Sequence, residues 1–301
     1  MQTPFFAIAQ TIAEDMYRSY VMTNTVELVL GAGGVKGYFH IGLLKAIEEL
    51  GIKVDKVTGV SVGAIIATFY TNGMSSDLIL KLFLEAHEKS GNPLLLASAV
   101  TVPDMRSFLV GMSFLSLEKP WEETVERLGL TPNERLRIVA CDARTKKPVL
   151  FEGRGYKLHA ALSASGALPG VFLPVHHGEQ LLIDGAAYHR NPDEFCETTA
   201  IISALGFATR LSLEPQDPIT YYYQWREVFA PVVNQPTEVD RERHVVVEHQ
   251  ADDICGLAFN LSVRRCKGMY EAGYKHGMQV LTAAIAAGKI DADGKSAKPA
   301  A

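Results

Sequence analysis

The alternation of apolar and polar positions near the start of the chain spells out two strand–helix units. Residues 26–30 are a short run of strand formers that ends in a glycine cluster, and Leu43, Ala46, Ile47 and Leu50 then repeat at helical spacing. A second strand begins at residues 54–57, and the apolar stretch 64–70 reads as the helix after it. From 26 to 73 the order β-α-β-α predicts parallel strands joined by crossover helices.

Further along, Ser75, Ser76 and Asp77 mark a helix start, and Asn92-Pro93 ends that helix. Residues 121–128 are helical in pattern and stop at Gly129. Two strands joined by a polar turn follow at 136–141 and 148–151. A short helix at 156–163 leads into a loop constrained by proline and glycine, 163–174. Strands are predicted at 180–183 and 200–205, with an edge strand at 244–248. A last helix starts at Ser262 and carries Met269, Gly273, Gly277 and Leu281 on one stripe. The fold class is therefore α/β, a mainly parallel sheet with helices on both faces.

The ends read differently. Residues 1–24 form a helical extension, either packed on the domain or lying at an interface, and its acidic polar face favours packing. Residues 25–290 form one domain without repeat or linker, and 291–301 read as a disordered tail. The apolar stretch 94–117 is either core or the lining of an acyl-chain site. The aromatic stretch 220–229 either packs on the core or meets lipid, with packing favoured.

Two glycine-rich turns carry the candidate chemistry. In Gly31-Ala32-Gly33-Gly34-Val35-Lys36-Gly37 a strand ends and a helix begins, so bare N–H groups and the helix N-terminus suit an anion, either a phosphate or an oxyanion. Gly59-Val60-Ser61-Val62-Gly63 is the G-x-S-x-G pattern of a nucleophile elbow, which exposes a serine hydroxyl on a strained strand-to-helix turn. Neither the dinucleotide pattern G-x-G-x-x-G nor a Gly-Lys-Ser/Thr phosphate loop is completed here. A nucleotide-binding module on the same loop remains the alternative from another class, and an interaction protein on a retained hydrolase fold is a third.

Composition narrows the partners. A formal net charge of −5 gives no electrostatic case for nucleic acid or for simple attraction to anionic membranes. The four cysteines are widely spaced, with no zinc signature, and read as reduced buried thiols. No apolar run approaches the ~18 residues that span a bilayer, and the N-terminus lacks the marks of a secretory signal. The expected location is the cytoplasm, with peripheral membrane contact or export without such a signal left open. No His or carboxylate cluster with cation-ligand spacing surrounds the turns, so neither metal nor cofactor is expected.

The segments GAGGVKGYFHIG, GVSVG, SASGALPGVFLP and Asp184-Gly185-Ala186 resemble, in that order, the motifs of the patatin-like phospholipases. The resemblance covers about residues 26–277. It implies a three-layer α/β/α architecture and a Ser–Asp dyad, with Ser61 as nucleophile, Asp184 as base and Gly33 and Gly34 as the oxyanion hole. Gly37, Gly59, Gly63, Gly185 and Ala186 would support these turns. Ala32 stands where the family's loop usually has its first glycine. Lys36 either adds positive potential near a substrate phosphate or is a solvated first-turn lysine. The implied substrate is a phospholipid or another acyl-ester lipid, met at a membrane surface. A triad of α/β-hydrolase type would instead need a late histidine such as His249, and none of the nine histidines sits in a recognisable loop for that role. On this reading Gly34→Val is expected to impair turnover more than folding.

Overall fold

A computed structural model describes residues 25–90, 116–206, 238–249, 253–258 and 261–292. The expectations for the N-terminal helix, for 94–115, for the aromatic stretch 220–229 and for 293–301 lie outside the described residues.

Strand β1 (Val26–Leu30) leads through a 3₁₀ turn into helix α1 (Gly37–Glu49), and β2 (Val54–Val60) leads into α2 (Val62–Thr71). Helix α3 (Ser76–Ser90) follows, with Leu78 N–H bonded to Ser75 Oγ at its start. Helix α4 (Glu118–Leu128) stops at Gly129, in the left-handed region at φ 61°. Then come β3 (Leu136–Asp142), β4 (Lys147–Glu152), α5 (Leu158–Ser165), β5 (Val175–His177), β6 (Gln180–Asp184), β7 (Ala200–Leu205), β8 (Val245–His249) and α6 (Val263–Ala286). Helix α5 runs two residues further than expected, so Ser163 and Ser165 are helical. The Ser163 hydroxyl satisfies the His159 carbonyl one turn back, and Gly166 ends the helix.

All eight strands form one sheet in the order β5-β6-β3-β2-β1-β7-β8, with β4 paired to β3. The pairs β8–β7, β7–β1, β1–β2 and β2–β3 are parallel, whereas β4 and β6 run antiparallel to β3. The α/β class and the mainly parallel sheet are as expected. Among the described residues, every helix of eight or more residues joins one large apolar cluster with Leu28, Leu30, Ile138 and Ile201. On the opposite face, Val29 and Ile202 pack with Cys196, and Val60 and Val139 pack near Ala186 and Phe195. At these positions that face is covered by the segment around 186–196.

The register of β3 positions the site. Strand β4 pairs with β3 from Arg137 to Asp142 and fills one edge over that length. The other edge is shared: β2 takes Leu136 to Val139, and β6 takes Ala140 to Asp142 from the opposite direction. The end of β2 at Val60 and the end of β6 at Asp184 thus meet head to head. Asp184 was expected at the carboxyl end of a strand, and it stands there, but on a strand running against its neighbour.

At the far end of the sheet, the Arg137 guanidinium donates to Glu27, to Glu197 and to the Phe195 carbonyl, each at 2.6 Å. Arg137 and Glu27 are both buried, so these bonds offset part of their desolvation, while the buried Arg137 Nε has no hydrogen-bond partner among the described residues.

Candidate active site

Ser61 sits between the end of β2 and the first turn of α2 with φ 55° and ψ −121°, a strained conformation for a residue with a side chain. Close packing enforces the turn. A Cβ on Gly63 would stand 2.0 Å from the Leu30 carbonyl oxygen, and one on Gly59 would stand 2.5 Å from the Gly63 carbonyl oxygen. The backbone N–H of Ser61 donates to Ser165 Oγ at 2.9 Å, and the Ser165 hydroxyl donates to the Val139 carbonyl at 2.7 Å. Ser165 thereby staples the elbow to β3. It was read only as part of a loop near the site; its signal is the S-x-S-G motif itself.

Asp184 is buried, with its own N–H bonded to the Ala167 carbonyl at 3.0 Å. Burial pushes its carboxyl up to about 6. Three contacts oppose that shift by favouring the ionised form: the Ala186 N–H at 2.9 Å, the Ser61 hydroxyl, and the positive charge of Arg190. Gly185 lies against β3, where a Cβ would meet the Val139 carbonyl oxygen at 2.4 Å.

The glycine loop runs alongside. Gly31 N–H donates to the Ser203 carbonyl and Ala32 N–H to the Arg190 carbonyl. Val35 N–H donates to the Gly256 carbonyl, and Lys36 N–H to that of Gly33. The Gly33 and Gly34 N–H groups have no hydrogen-bond partner among the described residues. A Cβ on Gly37 would press on Val62 of the elbow helix, so this loop and the elbow are in contact. His40, fully buried on α1, bonds the Gly31 carbonyl through Nε2 at 2.8 Å and Ser203 Oγ through Nδ1 at 2.6 Å. A carbonyl only accepts, so Nε2 carries the proton and the Ser203 hydroxyl donates to Nδ1. Burial pushes His40 down to about 4, which keeps the ring neutral. Gly256 had no sequence signal, because its role exists only through contact with a loop more than 200 residues earlier in the chain.

Lys36 corrects an expectation. It is buried, not solvated, and its Nζ donates to the Gly206 carbonyl at 2.7 Å. The lysine ties the loop to the end of β7. The expectation of no His/carboxylate cluster is also corrected: His189, Asp193 and Glu194 place one potential ligand atom each within 4.8 Å of one another. Those donors already serve the fold, with His189 Nδ1 on Glu194 at 2.8 Å and Asp193 accepting from Asp240 N–H at 2.9 Å. His249 packs edge-on against Phe39 with ring centroids 5.2 Å apart. All four cysteines are buried and free, as expected. No helix of the described residues is long and apolar enough to cross a membrane.

The chain is similar to several known proteins. The family profile described as patatin-like phospholipase matches residues 28–194, more than half of the chain. Patatin-like phospholipase domain-containing protein 6 of Mus musculus is 31% identical over 179 residues, which cover 58% of this chain and 13% of that protein. An uncharacterised NTE family protein of Mycobacterium bovis is 32% identical over 164 residues, covering 53% of this chain and 42% of that protein. The chain thus spans less than half the length of these curated relatives. The crystal structure of VipD from Legionella pneumophila superposes with a TM-score of 0.49 at 14% identity, covering 86% of this chain and 67% of that one. On the profile match across both glycine turns and the Asp184 segment, the chain belongs to the patatin-like phospholipase family.

Proposed function

We propose that residues 25–290 form a lipid acyl hydrolase in which Ser61 and Asp184 act as a dyad, with Gly33 and Gly34 as the oxyanion hole. The observation that carries this reading is that the Ser61 elbow at the end of β2 meets, at the end of β6, a buried carboxyl raised to about 6. A dry carboxylate of raised basicity can take a serine proton without an intervening imidazole. As Ser61 Oγ bonds to the ester carbonyl carbon, its proton passes to Asp184 and the carbonyl electron pair moves onto oxygen. The unpaired N–H groups of Gly33 and Gly34 meet that charge, and the positive end of α2 adds to their field. Collapse of the intermediate expels the alcohol, which takes its proton back from Asp184. Water then attacks the acyl-serine with Asp184 again as base, releasing the fatty acid. No step calls for a metal or cofactor, and the substrate is a phospholipid or other acyl-ester lipid met at a membrane surface. Lys36, tied to Gly206, braces the loop in this scheme and does not contact a phosphate.

The test is release of fatty acid from phosphatidylcholine vesicles and of nitrophenol from a short-chain ester, with and without a chelator. Turnover should survive chelation and rise with pH through the region near 6, where Asp184 ionises. Ser61→Ala and Asp184→Asn should each lower it by about 10⁴-fold while circular dichroism stays native. His159, His176, His177, His249 or His276 changed singly to Gln should keep most of it. One such variant falling as far as Ser61→Ala would replace the dyad by a triad. Stoichiometric nucleotide binding without labelling of Ser61 by a fluorophosphonate would return the glycine loop to the nucleotide reading.

A further inference from the structure

Arg190 joins the two halves of the proposed site. Its carbonyl accepts the Ala32 N–H at 3.0 Å, and its Nη2 donates to the carbonyls of Ala32 and Leu205, each at 3.1 Å. The Ala32 carbonyl and the Gly33 N–H belong to one peptide unit. Because that unit is planar and trans, a donor fixed on the oxygen aims the N–H the opposite way. The preceding unit is held as firmly, since His40 holds the Gly31 carbonyl and Arg190 accepts from the Ala32 N–H. Asn191 packs so tightly on the same turn that a Cβ on Gly31 would lie 2.0 Å from its Oδ1. Arg190 is also six residues along the chain from Asp184, on the segment that the aspartate opens.

We propose that Arg190 is a positioning residue that aims and polarises the Gly33 N–H and fixes its distance from the base; the proposal rests on the dyad reading above. A cation on the carbonyl oxygen draws electron density from the N–H and strengthens it as a donor. A planar guanidinium reaches two carbonyls from one nitrogen, and lysine's flexible point charge does not reproduce that geometry. The ionisable groups facing Asp184 among the described residues are Arg190 and the Cys141 thiol on β3, whose pKa burial raises, so the thiol stays neutral in the acid range.

The experiment compares kcat, KM and the acid limb of the pH profile on a short-chain ester for the full chain and for Arg190→Gln, Arg190→Lys and Asp184→Asn. Arg190→Gln should lower kcat by about 10²-fold, the cost of a misplaced catalytic group, with KM little changed. Its acid limb should move to higher pH, because a charge that favours the carboxylate is gone. Arg190→Lys should lose kcat similarly while its limb stays near that of the wild type. Wild-type kcat in folded Arg190→Gln, or a loss confined to KM, overturns the proposal. Should Arg190→Gln not fold, Arg190→Lys decides it alone in the same way. Collapse of both makes Arg190 a folding residue and overturns it as well. Turnover retained in Asp184→Asn would instead sink the dyad reading, which keeps the two failures apart.

Discussion

Gly34 has φ +57°, and a Cβ built on it would stand 2.0 Å from the Gly256 carbonyl oxygen. That oxygen already accepts the Val35 N–H at 2.8 Å, so the contact cannot relax without losing a buried backbone bond. The expectation that Gly34→Val impairs turnover more than folding is therefore revised: in the proposed site this position serves the fold as well as the chemistry. Gly34→Ala is predicted to cost more than ~2 kcal/mol, of which the left-handed backbone alone accounts for roughly 1–2, and to lose activity in parallel. Gly33 differs, its φ of 173° lying outside the left-handed region, and it faces the Leu205 side chain. Gly33→Ala should leave the melting temperature closer to wild type while reducing kcat, because the new methyl displaces a side chain and the peptide that carries the N–H. Thermal unfolding and kcat measured on both variants check this; equal losses of stability would contradict it.

Helix α1 carries the glycine loop at its start, and α6 is the element packed most closely along it. A Cβ on Gly273 of α6 would lie 2.1 Å from the Phe39 carbonyl oxygen, and one on Gly42 of α1 would lie 2.0 Å from that of Tyr270. The two backbones touch, so the expected stripe on α6 is a seam of close approach as well as an apolar face. Gly273→Ala is predicted to destabilise the protein by about 3 kcal/mol, the upper range for overpacking a rigid contact. Activity per folded molecule should change much less, because the contact is with the Phe39 carbonyl and not with the N–H groups of Gly33 and Gly34. Denaturant unfolding together with active-site titration by a fluorophosphonate separates the two; wild-type stability would show that the helices part easily.

The raised carboxyl of Asp184 also has a consequence for the whole molecule. Its folded value of about 6 exceeds the model-peptide value near 3.9, so the native state holds a proton that the unfolded chain releases earlier. This group's contribution is therefore most favourable below about pH 4 and is lost as pH rises through about 6. The cost at pH 7 is about 3 kcal/mol, and Asp184→Asn should recover part of it. The melting temperature of Asp184→Asn should exceed that of the wild type at pH 7, and the gap should narrow toward pH 4. A constant difference across that range would mean that the carboxyl is not raised. A carboxyl that weakens the fold near neutral pH is what the role of base proposed for Asp184 would require of a site shaped for chemistry.

Local patterning alone determined the strand–turn–helix units, the Ser61 elbow, the glycine loop and most element bounds, because each depends on residues a few positions apart. The resemblance of four short motifs pointed to Asp184, although nothing in its neighbourhood reveals a burial that raises its carboxyl. Tertiary structure decided the rest. Strand β6 meets β2 head to head because β4 already fills the other edge of β3, and no periodicity encodes which edge is free. Lys36 looks solvated in a first helical turn, yet the end of β7 buries it and supplies a carbonyl. Ser165, Arg190 and Gly256 gain their roles from bonds to backbone groups far away in the chain. Backbone groups are the same in every sequence, so the partners of such bonds become readable only when the chain is folded.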